Sequence, residues 1–233
     1  ITGGGDNQVA IDPTSHAHLT GHISAGAKTA GVNEIRITGN TGDTFELRDD
    51  GMNEWLFAGN RIQDGKTWFV YTAGGKELWV ENTLRRVFEG AADADTTFVL
   101  DDVIGTDNKL DKSDFSAVNG GGGTNTIALG ASMDGKTIDI SELTSDQLNN
   151  VHVIDLSGQG NNHLVIGSTV KDANDAKTLP IKGNVGDTFE LDSAAWKYID
   201  RETVSGETSY KYTNSNGETL LVHLNLVLVM TGT

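Results

Sequence analysis

Apolar and polar residues alternate in short runs along most of the chain, with a period of two and little trace of the 3.6-residue period of a helix. The runs QVAI (8–11), EIRITG (34–39), DTFELR (43–48), WFVYT (68–72), KELWVE (76–81), TTFVL (96–100) and NTIAL (125–129) read as strands. So do KTIDIS (136–141), VHVIDLS (151–157), NHLVIG (162–167), LPIKG (179–183), DTFELDS (187–193), SYKYT (209–213) and TLLVHLNLVLV (219–229). Gly, Asn, Asp and Ser separate them, as turn residues should. Two segments stand apart. SELTSDQLNN (141–150), with Ser141 as a cap, predicts a short helix, and DKSDFSAV (111–118) predicts a single turn.

The runs recur in order. GNTGDTFEL at 39–47 and GNVGDTFEL at 183–191 differ at one position in nine. A Trp follows each copy (Trp55, Trp196), then a polar glycine turn (Asp64-Gly65, Ser205-Gly206), an aromatic alternating run, a second turn and an apolar strand. Upstream, ITGGGDNQVAI (1–11) matches LSGQGNNHLVI (156–166). This is the signature of a tandem duplication. It predicts a first unit, 1–96, truncated at its N-terminal side, and a complete second unit, 97–233. The opening ITGGGDNQ reads as the interior of a longer chain.

Two strand styles suggest the architecture. Between about 124 and 192, short strands follow Gly/Asn corners without hairpin turns, which suits rungs of a parallel β-solenoid. FVYTAGGKELWV and YKYTNSNGETLLV instead pair about a tight glycine turn. The expected fold is all-β: duplicated units, each a β-solenoid-like layer finished by an antiparallel hairpin meander at 68–80 and 209–222. A β-sandwich is the alternative.

Composition narrows the function. The chain has 233 residues, no Cys, 2 Pro, 29 Gly and a formal net charge of −16. Such acidity argues against nucleic acid, whose phosphates need Lys and Arg. It suits a protein bathed in calcium, and equally one kept soluble by its charge. No apolar run is long enough to span a membrane.

Each candidate motif has a plain structural reading beside a chemical one. GGGGTNTIA (120–128) follows the calcium nonapeptide of secreted β-rolls, but with Asn125 where that motif has Asp; Asn7 and Asn162 sit at the same position of the other copies. Glycine corners fastened by Asn explain the same letters. Asp43 and Asp187 of GNxGDT read first as turn residues and second as calcium ligands. Asp101, Asp102, Asp107, Asp111 and Asp114 crowd one stretch between the units, without EF-hand spacing, as either an acidic linker or a calcium site. His16, His18 and His22 offer imidazoles for a transition metal. Trp68 and Trp79 lie across the first hairpin, where the second unit has Ser209 and Leu221. That exchange suggests a solvent-facing aromatic position able to stack on a sugar or a partner, with core packing as the other reading. No nucleophile elbow, His-Glu-x-x-His, phosphate loop or cysteine nucleophile is present.

The passage GGGGTNTIAL…KTIDISELTSDQLNNVHVIDLSGQGNNHLVI…LPIKGNVGDTFEL…W…YKYTNSNGETLLV resembles repeat units of large RTX-type bacterial adhesins exported by type I secretion, the biofilm-associated surface proteins. The resemblance covers most of both units. It implies an extracellular, cell-surface, non-enzymatic module, calcium-stabilised, that attaches to a polysaccharide or other surface ligand or to copies of itself. The alternatives are a carbohydrate-active β-solenoid of the polysaccharide-lyase kind and an S-layer-type structural protein.

Overall fold

The computed structural model describes residues 8–11, 33–39, 43–47, 55–100, 109–111, 114–143, 147–158, 160–170 and 177–229. These residues are all-β. They hold no α-helix, and their one helical element is a 3-10 turn at Ala131–Met133. The chain divides into two compact units, Ile1–Val87 and Phe88–Thr233.

In the first unit, β1 (Gln8–Ile11) runs parallel to β3 (Thr44–Leu47), and β3 runs parallel to β7 (Arg85–Glu89), whose last two residues already belong to the second unit. Beside them β2 (Asn33–Ile37) lies parallel to β6 (Lys76–Glu81). β4 (Leu56–Gln63), β5 (Lys66–Ala73) and β6 form an antiparallel meander. Its turns are two-residue turns with positive φ at both positions: Asp64 and Gly65, then Gly74 and Gly75. That is the hairpin turn whose twist matches the strands. Phe45, Trp55, Tyr71, Leu78, Val80 and Leu84 form the buried core.

The second unit stacks parallel strands more deeply. β8 (Thr97–Leu100), β11 (Thr126–Leu129), β14 (Val153–Asp155), β16 (Thr178–Lys182) and β20 (Thr219–His223) follow one another in one sheet. β9 (Lys109–Leu110), β12 (Thr137–Asp139), β15 (His163–Ile166), β17 (Thr188–Leu191) and β21 (Val227–Val229) make another. β10 (Phe115–Asn119) pairs with β13 (Leu148–Asn149). An antiparallel meander of β18 (Lys197–Val204) and β19 (Glu207–Thr213) attaches to β20. Parallel registry places like above like. Phe98, Ile127, Ile154, Ile181 and Val222 form one inward column, and Leu110, Ile138, Leu164 and Phe189 form a second, all buried. Burial alternates strictly along β8, β11, β15 and β17, so these parallel sheets keep one face to solvent, unlike parallel sheets covered by helices on both sides. Each inward aliphatic or aromatic side chain contributes about 1.5–3 kcal/mol of burial.

The two units repeat one pairing scheme. Ile37 faces Val80 as Ile181 faces Val222, and Phe45 faces Arg86 as Phe189 faces Leu228. The bulge between Phe57 and Gly59 in β4 recurs between Tyr198 and Asp200 in β18.

Three details depart from the pattern of the sequence. The expected helix over 141–150 does not form where it is described: Ser141 donates its backbone N–H (2.9 Å) and hydroxyl (2.5 Å) back to Asp139 Oδ1, and Leu148–Asn149 is a strand. Ser141 therefore closes a local turn on the preceding strand instead of capping a helix. The turn expected over 111–118 covers only Asp111–Asp114, where the Asp114 N–H donates to the Asp111 carbonyl at 3.1 Å, before β10 begins. Both hairpins are in fact three-stranded, because β4 and β18 pair with β5 and β19. Those strands are edge strands with mostly exposed residues, so they carry no apolar alternation.

Candidate functional site

The corners immediately before β3, β11, β15 and β17 each hold one buried polar side chain: Asp43, Asn125, Asn162 and Asp187. Asn125 is fully buried; its Oδ1 accepts the Thr96 N–H at 3.0 Å and its Nδ2 donates to the Asn150 carbonyl at 3.0 Å. On the next turn Asn162, also fully buried, accepts the Lys136 N–H at 3.3 Å. Asp187 follows: Oδ1 accepts the Asn162 N–H at 2.8 Å and Oδ2 the Asn184 N–H at 2.7 Å. Asp43 takes the same place in the first unit. Its carboxylate folds over Gly39, where an added Cβ would sit 2.8 Å from Oδ2, as Asp187 folds over Gly183, at 3.0 Å. The glycines of 120–123 serve the same stacking. A Cβ on Gly120 would lie 2.1 Å from the Asn150 carbonyl oxygen, and one on Gly122 would lie 2.1 Å from that of Ala92.

Calcium requires six to eight oxygen ligands around one point. At Asp187 both carboxylate oxygens accept backbone amide protons, the arrangement of a turn residue. Among the described residues no group of three or more His, Asp or Glu side chains converges. Asp111 and Asp114 share a turn, in which the Asp111 N–H donates to Asp114 Oδ2 at 2.8 Å. Asp101, Asp102 and Asp107, and His16, His18 and His22, lie outside the described residues. One acidic group is electrostatically distinctive. Burial raises the pKa of Asp139, but hydrogen bonds and charge from Lys109 (2.5 Å) and hydrogen bonds from Ser141 outweigh it and hold the pKa below the ordinary carboxylate value.

The outer face of the first meander carries the tryptophans. Trp68, Trp79 and Val70 pack as a buried cluster, the indoles edge-to-face with centroids 6.2 Å apart. Neither ring is the solvent-facing position suggested by the sequence: Trp68 is 4% exposed and Trp79 5%. Arg36 covers them, its guanidinium 4.5 Å from the Trp79 centroid and 5.5 Å from Trp68, and Arg61 stands 5.1 Å from Trp79. Trp79 Nε1 donates to Glu77 at 3.0 Å, and Glu77 also faces Arg61 at 3.8 Å. The wide indole faces attract guanidinium groups, so aromatic and cation screen each other from water.

The exposed aromatic belongs instead to the second meander. Tyr198 is 53% exposed, with its ring 6.3 Å from Tyr210 and 5.7 Å from Tyr212. Tyr212 packs 6.0 Å from Phe189, and Arg201 lies 5.3 Å over Tyr210. The first unit holds the same arrangement as Phe57, Phe69, Tyr71 and Phe45, at 6.4, 5.7 and 6.0 Å. Burial raises the pKa of Tyr212, and the adjacent Tyr210 and Tyr198 add to the rise. Aligning the repeats would have found this patch, because Phe57 and Phe69 become Tyr198 and Tyr210 in the second copy. A half-exposed phenol beside a guanidinium can stack on and hydrogen-bond a polar ring such as a sugar.

No protein-family model, curated protein or solved structure matches the chain.

Proposed function

We propose that the chain is a non-enzymatic repeat module of an extracellular bacterial surface adhesin or matrix protein, built as tandem solenoid-like units that each end in a hairpin meander. The observation carrying this reading is the contrast between the duplicated units. They keep the same core positions and pairing scheme, yet their meander faces differ: Arg36, Arg61, Trp68 and Trp79 in one, Pro180, Glu202, Ser209 and Leu221 in the other. A scaffold held constant under variable outer faces is how repeat proteins present binding surfaces. The resemblance of the sequence to RTX-type adhesin repeats supports the same reading. A polysaccharide or other cell-surface ligand is the proposed partner, with Tyr198 as its stacking platform. Calcium stabilisation enters through the acidic stretch at 100–114.

A glycan array probed with the wild-type protein and with Tyr198→Ala and Trp79→Ala tests the ligand. Retention lost with Tyr198→Ala supports the platform. Retention unchanged by Tyr198→Ala and abolished by a folded Trp79→Ala would move the site to the first meander.

A further inference from the structure

The bulge in β18 turns one side chain onto the aromatic face of the second meander. Strand residues alternate sides, so without the bulge Asp200 would share a face with Tyr198. The register slips between Tyr198 and Asp200, and Arg201 takes that place instead. Tyr198 lies opposite Tyr212 and Arg201 opposite Tyr210 on one face. Asp200, opposite Lys211, and Glu202, opposite Ser209, lie on the other. Tyr210 joins the first two: its ring is 6.3 Å from that of Tyr198 and 5.3 Å from the Arg201 guanidinium above it. β18 and β19 are interior to the chain, and residues 177–229 around them are all described.

Arg201 is also unusual in its company. The chain has a net charge of −16, and Lys66, Lys109, Lys182 and Lys211 each sit against a carboxylate. Arg201 is exposed and has no acidic partner for its guanidinium among the described residues. Both flanking acids are engaged elsewhere. Asp200 Oδ1 accepts the Arg201 backbone N–H at 2.7 Å, and Glu202 accepts from Lys211 Nζ at 2.7 Å. Stacking on Tyr210 uses the flat side of the guanidinium and leaves its in-plane N–H donors for an anion. The first unit has the same bulge but sets Asn60 opposite Phe69, so its aromatic face has no cation at this position.

We infer that this face holds an acidic sugar, a uronate pyranose whose ring stacks on Tyr198 while its carboxylate takes the fork of Arg201. The inference rests on the surface-module reading and names the class of its ligand. A pyranose offers an apolar C–H face to an aromatic ring. Its carboxylate is planar and accepts two parallel N–H bonds, which a guanidinium supplies and an ammonium does not. One such cation in a chain this acidic suits single, spaced carboxylates and not a densely sulfated polymer.

Isothermal titration of the whole chain tests the inference. The probes are soluble oligomers of galacturonate, mannuronate, guluronate and glucuronate, each beside its carboxyl-reduced neutral form. At least one uronate should bind, and its reduced form should bind about three- to ten-fold more weakly. Arg201→Gln should lower uronate affinity to that of the reduced form and leave the reduced form unaffected. Arg201→Lys, which keeps the charge without the fork, should recover part of the loss. Tyr198→Ala should abolish binding of both forms. Lys211→Gln removes the same charge from the opposite face and should leave the preference intact. Equal binding of acid and reduced forms, a preference that survives Arg201→Gln, equal loss with Lys211→Gln, or a sulfated glucan bound as tightly as the uronates would overturn the inference. Equal binding that Tyr198→Ala abolishes would leave the stacking platform standing without it, whereas no sugar bound at all would remove both.

Discussion

Asp187→Ala isolates the claim that the buried corner residues are structural. Asp187 is fully buried, and its carboxylate receives two backbone N–H groups at 2.8 and 2.7 Å. Truncation leaves both amides without their acceptor, in a corner where the chain turns from one strand to the next. An unsatisfied buried donor costs about 1–3 kcal/mol, and these bonds are charge-assisted, so the loss should be about 3–5 kcal/mol. In a unit of roughly 150 residues that lowers Tm by about 10–15 °C. Asp187→Asn keeps one acceptor but offers its NH2 to the other N–H, and should lose about half as much. Scanning calorimetry of the whole chain, with and without excess chelator, reads both variants. The loss should be the same in either buffer. A drop under about 2 °C would refute the structural role. A loss seen only with calcium present would show that Asp187 is a metal ligand after all.

Other outcomes follow from named contacts. Gly120→Ala, whose Cβ would meet the Asn150 carbonyl, should cost about 3 kcal/mol or more, whereas Gly217→Ala, at φ +76° with open space around it, should cost about 1 kcal/mol in a urea titration. Trp79→Ala should destabilise the first unit by about 3–5 kcal/mol through lost packing, seen as an earlier urea transition. The pKa of Asp139 is lowered by folding, so its contribution to stability is present above the unfolded carboxylate value and lost as pH falls through the folded one. Asp139→Asn should flatten the acid side of the Tm-against-pH curve. If the stretch at 100–114 binds calcium, chelator should lower the wild-type Tm, and identical curves would leave the acidity as surface charge alone.

The duplicated strands were legible because inward positions in both copies are apolar at a period of two, as Phe45 and Phe189 or Val80 and Val222 show. The hairpins were legible from their glycine turns. The outer strands β4 and β18 were not, because exposed edges leave the choice of residue almost free. Ser141 misled because a capping residue and an Asx turn use the same side-chain chemistry, and only the position of Asp139 decides between them. Single-strand patterns left both readings of the tryptophans open, core packing and a solvent-facing position, and the structure takes core packing. Burial by a neighbouring arginine depends on registry between β2 and β6, since Arg36 sits directly opposite Trp79. Single-strand patterns carry no such information. Tyr198 carries no pattern signal of its own, because it lies on the exposed edge strand β18, and only its alignment with Phe57 in the other repeat marks it.

The claim that this module holds a surface ligand without transforming it is tested most directly by one paired measurement. The protein is incubated with immobilised neutral and acidic polysaccharides, and retained protein and released reducing or unsaturated ends are measured on the same samples. The account predicts saturable retention that falls with Tyr198→Ala, with no accumulation of new chain ends over time. Time-dependent release of chain ends proportional to protein concentration would contradict it.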